Sequence, residues 1–236
     1  MEVYIIALRN GVFPVACSTG DLEVEPMQIE IFSDVVCPWC YIGKRRLDAV
    51  LQTPVGEGVT LRWRPYQLRP GLPAKGVDRA EYLRARYGEE ADPGRVPQRL
   101  AAEAEDAGLT FDFVAMGRMP NTFQAHRLME LAWDDGVQHQ LAEVLFDAYF
   151  RAGKDIGQPA TLVEAAERSG IDGAKAAQYL DGDAGADRVR AQLERAVELG
   201  VSGVPSYLLA GRFTLPGAQT PEVMGQFIQR AKERLA

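Results

Sequence analysis

The chain has 236 residues and a net charge of −7, from 26 Lys and Arg against 33 Asp and Glu. Its composition, 47% hydrophobic and 25% charged, is typical of a soluble globular protein and excludes a wholly disordered chain. The sequence has no long basic run and no apolar stretch of about 20 residues, so we expect neither a nucleic-acid partner nor a membrane partner.

The numbers of cysteines and histidines also limit the chemistry. Three cysteines are too few for a secreted scaffold that depends on disulfides. The two histidines, His126 and His139, have no Cys or second His at the spacing of a ligand pair. We therefore predict that the protein has no metal site.

Residues 1–26 lack the pattern of a secretory signal. Glu2 is acidic, the apolar run Val3–Leu8 is short, and Arg9 ends it. We therefore expect a poorly structured N-terminal extension, with Met27 as an alternative start of the protein, and a cytoplasmic location. Export is the alternative if this segment acts as a signal.

The rest of the chain begins with a strand–helix–strand pattern. Apolar and polar residues alternate in Met27–Ser33, which predicts a strand. Pro38 suits the first turn of a helix, and the apolar spacing continues that helix to about Leu51. Alternation resumes in Val59–Tyr66 and predicts a second strand, with Pro65 near its end.

Helical periodicity replaces alternation after a Pro- and Gly-rich linker that begins at Leu68. The predicted helices lie near residues 78–88, 95–107, 121–135, 138–151, 161–169, 173–180 and 184–199. Two strands follow at Ser206–Ala210 and Arg212–Leu215, and Gly211 joins them as a hairpin. A last helix begins with Pro221 in its first turn.

The segment Cys37-Pro38-Trp39-Cys40 carries the clearest chemical signal. It places two thiols one helical turn apart at a helix start, where free N–H groups and the helix dipole favour an anion. A thiolate is the nucleophile of disulfide exchange, so we expect Cys37 to be the exposed nucleophile and Cys40 the buried resolving cysteine. The alternatives are half of a zinc site, for which no second ligand pair exists, and two unrelated buried cysteines.

This motif and three later segments resemble one family. The run SDVVCPWCYIGKRRL after a strand is similar to the DsbA-type thioredoxin-fold oxidoreductases. The similarity is greatest to the FrnE-type branch, which neighbours the 2-hydroxychromene-2-carboxylate isomerases and the kappa-class glutathione transferases. Segments 121–127, 200–205 and 217–219 follow in the family's order, so the resemblance covers residues 27–236.

The resemblance implies an α/β fold, a thioredoxin fold with a large all-helical insertion domain. Residues 27–67 and 185–236 would form the thioredoxin domain, and residues 68–184 would form the insertion. The predicted order of elements, which is strand–helix–strand, helical block and then hairpin–helix, agrees with that division.

The resemblance also implies roles for residues near the cysteine pair. Pro205 matches the family's cis-proline, and Val204 precedes it. These two residues would align an incoming peptide backbone or thiol beside the cysteines. Pro38 and Trp39 complete the active-site motif.

Two positions depart from the family pattern. Thioredoxins carry a buried acid where this chain has Ile31, and the adjacent Glu30 should point to the opposite face of its strand. We therefore expect water to replace a carboxylate as the base. Trp39 stands where strongly oxidising relatives have His, so we expect a couple that is less oxidising than DsbA.

Asn121 and His126 are candidate groove residues in the helical block. In the functional interpretation, this segment lines the substrate groove and Asn121 binds a peptide or glutathione. In the structural interpretation, which we favour, Asn121 caps a helix and His126 has its hydrogen bonds satisfied inside the fold.

Together these features predict a thiol–disulfide oxidoreductase that acts on protein or low-molecular-weight thiols and disulfides. We expect no permanently bound cofactor beyond the redox-active disulfide, with glutathione as a candidate co-substrate. The alternative is a glutathione-dependent isomerase or transferase of the 2-hydroxychromene-2-carboxylate isomerase type, whose members typically have serine at the first cysteine. A non-enzymatic accessory protein is a third interpretation, and the oligomeric state is left open.

Overall fold

The computed structural model describes residues 27–235. The predicted N-terminal extension, and with it the question of a signal segment, lies outside the described residues. Within residues 27–235, no helix combines the length and the apolar character that crossing a membrane requires.

The described residues form short strands and mostly longer helices. The strands are β1 (Met27–Ser33), β2 (Val59–Pro65), β3 (Val77–Asp78), β4 (Arg118–Met119), β5 (Ser206–Leu209) and β6 (Phe213–Pro216). The helices are α1 (Pro38–Leu51), α2 (Arg79–Tyr87), α3 (Gln98–Asp106), α4 (Phe123–Asp134), α5 (Gln138–Phe150), α6 (Pro159–Arg168), α7 (Gly173–Asp181), α8 (Ala186–Glu198) and α9 (Pro221–Leu235). A 3-10 turn, Pro54–Gly56, follows α1.

The main sheet has the strand order β2–β1–β5–β6. β1 runs parallel to β2, with Ile31 beside Trp63, and antiparallel to β5, with Ile31 beside Tyr207. β5 and β6 form the predicted hairpin, whose turn residues Ala210 and Gly211 have φ of 48° and 67°. Three residues, 210–212, separate the paired Leu209 and Phe213, and the Arg212 N–H donates to the Leu209 carbonyl at 3.0 Å. Positive φ at both central positions of this β-turn gives a twist that matches the strands.

Alternate residues of the sheet face different helices, because successive side chains of a strand point to opposite faces. On one face, Ile29 lies with Leu47 of α1 and Met224 of α9. On the other face, Phe32 packs with Ala196 of α8. The sheet is therefore covered on both sides, with α1 and its cysteine motif on the first.

The structure confirms the predicted α/β fold, with helices inserted between β2 and β5. The predicted strands and helices are present in the predicted order, and their first and last residues differ slightly from the prediction. The prediction missed the ribbon in which β3 pairs with β4. Each of these strands has two residues, which is too short for alternation to be visible. The bounds of the two domains remain predictions.

Tyr41 connects α1 to the inserted helices. Its fully buried ring stacks on Phe146 of α5, with the ring centroids 5.0 Å apart and the planes at 10°. Phe150 and Phe111 lie 6.2 and 6.3 Å from the same ring. Aromatic pairs of this kind contribute about 0.5–1.5 kcal/mol beyond their buried area. The cluster therefore holds the motif helix against the insertion.

Polar side chains of α1 and α5 form a network of hydrogen bonds and ion pairs beside this aromatic cluster. The Tyr41 hydroxyl donates to Glu143 at 2.9 Å, and Lys44 Nζ lies 2.9 Å from Glu143 and 2.8 Å from Asp48. His139 lies 2.7 Å from the same Asp48. Burial raises the pKa of Asp48, but His139 and Lys44 outweigh that effect and hold the pKa below its usual value. The carboxylate therefore stays ionised and binds both partners.

We expect Phe146→Ala to reduce the free energy of unfolding by about 3–5 kcal/mol, because the truncation leaves a cavity at the ring of Tyr41. Val197→Ala is the control, since this valine on α8 is 75% exposed. Its effect should stay below about 0.5 kcal/mol. Chemical denaturation followed by circular dichroism measures both changes. A loss below about 1 kcal/mol for Phe146→Ala would show that this cluster does not hold the two parts together.

Candidate active site

The cysteine motif lies at the junction of β1 and α1. Cys37 is the N-cap residue of α1, with φ −92° and ψ 113°, and Pro38 occupies the first turn. The Cys37 N–H donates to the Asp34 carbonyl at 2.9 Å, and the Cys40 N–H donates to the Cys37 carbonyl at 3.0 Å. Cys37 therefore stands at the N-terminus of the helix and Cys40 within its first turn.

Both cysteines of the motif are buried. Cys37 is 4% exposed, Cys40 is 1% exposed, and no disulfide joins them in the structure. The prediction of an exposed Cys37 is therefore wrong, although Cys40 is the more deeply buried of the two. The cause is the loop before β5, since the Cys37 thiol donates to the Val204 carbonyl oxygen across 3.6 Å.

Val204 and Pro205 form the opposite side of the site. Their peptide bond is cis, as the family resemblance implies. The Pro205 carbonyl accepts a hydrogen bond from the Gly217 N–H at 2.8 Å, which ties the loop to the segment after β6. Both residues line two cavities, of about 340 and 470 Å³, and the half-buried Trp39 lines the larger one.

Gly43 lets α1 approach this loop closely. A Cβ atom on Gly43 would overlap the Tyr207 hydroxyl and would lie 3.1 Å from Pro205 Cγ. Tyr207 is 3% exposed, and its hydroxyl makes no hydrogen bond within residues 27–235. Burial, and then the charges of Cys40 and Cys37, raise the pKa of Tyr207, so its hydroxyl stays protonated.

The groups around Cys40 shift its pKa in opposite directions. Burial raises the pKa of Cys40 well above its usual value, and the neighbouring Cys37 raises it further. The Ser33 hydroxyl and the Asp34 backbone N–H lower the same pKa. Ser33 Oγ is buried and makes no hydrogen bond within the described part of the chain, so its O–H is available to donate to a Cys40 thiolate. These two residues are therefore the polar groups that stabilise a Cys40 thiolate.

Asp34 also contacts the predicted candidate His126. One Asp34 carboxylate oxygen accepts from the Leu68 N–H at 2.8 Å, and the other lies 3.4 Å from His126 Nε2. His126 Nε2 is 3.0 Å from the Tyr66 carbonyl, so this nitrogen carries the proton and donates there. His126 is 3% exposed. These contacts favour the structural interpretation of His126.

Asn121 has its hydrogen-bonding groups occupied in the same region. Its Oδ1 accepts from the Phe123 N–H at 3.0 Å at the start of α4, and its Nδ2 donates to the Leu72 carbonyl at 2.8 Å. Gln67 donates to the same Oδ1 at 3.2 Å. This pattern also favours the structural interpretation, in which Asn121 holds the start of α4.

Glu30 has its partners away from the cysteines. Its carboxylate binds Arg64 at 2.5 Å and Arg195 of α8 at 2.8 and 2.9 Å. Burial raises the pKa of Glu30, but the hydrogen bonds and charges of Arg195 and Arg64 hold it below its usual value. Glu30 is therefore ionised in an ion-pair cluster on the α8 side of the sheet.

The sequence interpretation missed Ser33, Asp34, Gly43 and Tyr207. The signal that could have found the first two is their position at the carboxyl end of β1, directly before the motif. Gly43 and Tyr207 show no such signal, because their contact joins residues that are distant in the chain. Among residues 27–235, no group of three His, Cys, Asp or Glu is arranged to hold a metal ion.

Alanine substitutions at Gly43 and Gly225 test whether α1 approaches Tyr207 closely at Gly43. Gly225→Ala in α9 should stabilise the protein by about 0.5–1 kcal/mol, because its nearest neighbour, Val50 Cγ1, is 3.8 Å from the added Cβ. Gly43→Ala should instead destabilise it by about 1–3 kcal/mol, since the Cβ would overlap Tyr207. Thermal or chemical unfolding compares the two. Equal stabilisation by both alanines would disprove the close approach at Gly43.

Known proteins resemble this chain over most of its length. The uncharacterized protein YwbO of Bacillus subtilis (strain 168) is 26% identical over 209 residues, which are 88% of this chain and 98% of that protein. The crystal structure of the probable DsbA oxidoreductase SCO1869 from Streptomyces coelicolor is 31% identical, with a TM-score of 0.76, and the match covers 88% of this chain and 90% of that one.

A more distant structure shares the fold alone. The 2-hydroxychromene-2-carboxylate isomerase is 16% identical with a TM-score of 0.62, and the match covers 88% of this chain and 97% of that one. Residues 28–229 match the family described as the DSBA-like thioredoxin domain. This match includes the four strands of the main sheet, the inserted helices and the Cys37–Cys40 pair. The chain therefore belongs to the DSBA-like thioredoxin domain family.

Proposed function

We propose that the protein is a thiol–disulfide oxidoreductase in which Cys37 forms a mixed disulfide with the substrate and Cys40 resolves it. The observation that carries the proposal is the placement of the pair. Cys37 begins α1 against the Val204 carbonyl, and Cys40 lies one turn further along the helix and is more deeply buried. Membership of the DSBA-like family and the similarity to a probable DsbA oxidoreductase support it.

The reaction in the reductive direction has two exchanges. The Cys37 thiolate attacks one sulfur of the substrate disulfide, and the other substrate sulfur leaves and takes up a proton. The Cys40 thiolate then attacks the Cys37 sulfur, and the first substrate sulfur leaves. A Cys37–Cys40 disulfide has formed, and two electrons have passed to the substrate. The reverse sequence oxidises a substrate dithiol.

The second exchange depends on how Cys40 loses its proton. Its raised pKa makes the thiolate scarce at neutral pH, and Glu30 is committed to its arginine partners. The Ser33 hydroxyl and the Asp34 N–H then stabilise the anion when it forms. In this proposal water accepts the proton, and the polar groups at the end of β1 make its loss easier.

Val204 and Pro205 are the proposed substrate-aligning residues. Their loop runs directly over Cys37 and borders both cavities of the site. A substrate in extended form can lie along the backbone of this loop as an added strand. Protein and low-molecular-weight thiols or disulfides are both proposed as partners, with glutathione as a candidate co-substrate. Assignment to the FrnE-type branch and a cytoplasmic location remain part of the proposal.

Catalysed reduction of insulin by dithiothreitol tests the proposed function. The wild type should accelerate it, and the double variant Cys37→Ser, Cys40→Ser should lose that acceleration. Cys17→Ser, which removes the third cysteine, is the matched control and should retain it. An unchanged rate in the double variant would contradict the proposal. Glutathione-dependent isomerisation of 2-hydroxychromene-2-carboxylate by a wild type that does not reduce insulin would favour the alternative function.

Ser33→Ala tests the role of the hydroxyl beside Cys40. In a Cys37→Ser background, we expect this change to raise the pKa of Cys40, because it removes a group that lowers that pKa. Thiolate absorbance during a pH titration measures the change. In the two-cysteine protein the resolving step should slow roughly tenfold at pH 7, as one hydrogen bond to a charged group is lost.

The exposed Ser202 provides the control for this measurement. Ser202→Ala lies in the loop before Val204 and should leave the titration of Cys40 where it was. The same titration curve for Ser33→Ala and its parent would show that Ser33 does not act on Cys40.

A further inference from the structure

The larger cavity beside the motif has a volume of about 470 Å³. The segment of residues 217–220 after β6 forms part of its lining. The other lining residues come from the motif, the loop before β5 and helices α1 and α3: Trp39, Val204, Pro205, Arg46, Arg99 and Glu103. Volumes of about 300–1,000 Å³ are typical of sites for small molecules. A substrate held here would lie beside the residues that flank Cys37.

One of the two arginines in this cavity has its charge compensated. Arg46 is 4% exposed and binds Glu103 at 2.6 Å and Asp106 at 2.8 Å. Its remaining terminal nitrogen donates to the Ala218 carbonyl at 2.9 Å. Arg46 therefore links α1, α3 and the segment after β6, and its guanidinium is occupied in the fold.

Arg99 differs from Arg46 in having no partner for its charge. Its guanidinium lies over the ring of Trp39, 5.6 Å from the centroid, and makes no hydrogen bond or ion pair within residues 27–235. The acid one turn along α3 is Glu103, which is bound to Arg46 instead. The exposed Arg99 is thus a free cation held at the mouth of the cavity by the indole of the motif.

The position of Arg99 does not stabilise its own helix. It lies in the first turn of α3, where the helix dipole disfavours a cation. An acid four residues after the basic residue is also the less favourable order for a helical pair. The contact with Trp39 holds the guanidinium beside the cavity, where an anionic ligand would supply the partner that its charge lacks.

We infer that this cavity binds the carboxylate of a low-molecular-weight disulfide or thiol, and that Arg99 is the group that binds it. The inference rests on the proposed function and names the class of substrate that the site prefers. A guanidinium suits a carboxylate because it can donate two parallel hydrogen bonds. The chain as a whole carries a charge of −7 and repels anions, so a preference for an anionic substrate would have to arise locally.

Three disulfides of nearly equal size test the inference. They are 3,3′-dithiodipropionate, bis(2-hydroxyethyl) disulfide and cystamine, which are anionic, neutral and cationic. The rate at which each oxidises the reduced protein is measured and divided by its rate with dithiothreitol. The wild type should prefer the anionic probe over the neutral probe about fivefold, as one ion pair near a surface allows. Cystamine should be the slowest.

Arg99→Met keeps an unbranched apolar stem, removes the guanidinium and its charge, and should abolish the preference for the anionic probe. Arg95→Met is the matched control, because Arg95 is an exposed arginine four residues earlier that does not line the cavity. The control should keep the preference. Equal normalised rates in the wild type, or a preference that survives Arg99→Met, would overturn the inference alone. Failure of all three disulfides to oxidise the protein would overturn the proposed function and this inference with it.

Discussion

The close packing of α1 against the loop before β5 determines the geometry of the whole site. Gly43 has no side chain, and the space that its Cβ would need is filled by the Tyr207 hydroxyl and the Pro205 ring. That approach brings the Val204 carbonyl to 3.6 Å from the sulfur of the buried Cys37. Because cores are packed nearly as densely as crystals, a small change in this contact would move the loop relative to the sulfur.

Charged groups near the site are paired with one another rather than with the cysteines. Glu30 is bound by Arg64 and Arg195 on one side of the sheet, and Arg46 is bound by two acids of α3 on the other. The groups that lower the pKa of Cys40 are neutral ones, the Ser33 hydroxyl and the Asp34 backbone. The pKa of Cys40 is therefore governed by burial and local dipoles, and Arg99 is the arginine of the larger cavity that has no acidic partner among residues 27–235.

Local patterns in the sequence were sufficient to predict the order of the elements and the position of the cysteine pair. Alternation identified β1 and β2, and Pro38 marked the start of α1. The burial of Cys37 could not be predicted, because the group that covers it is Val204, 167 residues away. The same reason applies to Gly43, whose importance lies in its contact with Tyr207.

Residue type alone also fails to show which charged side chains are free. Arg46 and Arg99 both line the same cavity, yet Glu103 is bound to the first although it lies one turn from the second. Asn121 and His126 were candidates for the substrate groove from the sequence, and their hydrogen bonds within the fold favour the structural interpretation. In each case, whether a polar side chain is paired depends on which group lies next to it in the fold. That depends on packing between segments that are distant in the sequence.

In the proposed mechanism, Cys37 reacts with the substrate and Cys40 resolves the mixed disulfide. The most direct measurement is to expose the single variants Cys40→Ser and Cys37→Ser to bis(2-hydroxyethyl) disulfide and to map the products by mass spectrometry. We expect a persistent mixed disulfide on Cys37 in Cys40→Ser and almost none on Cys40 in Cys37→Ser. A mixed disulfide that forms as readily on Cys40 as on Cys37 would contradict this mechanism.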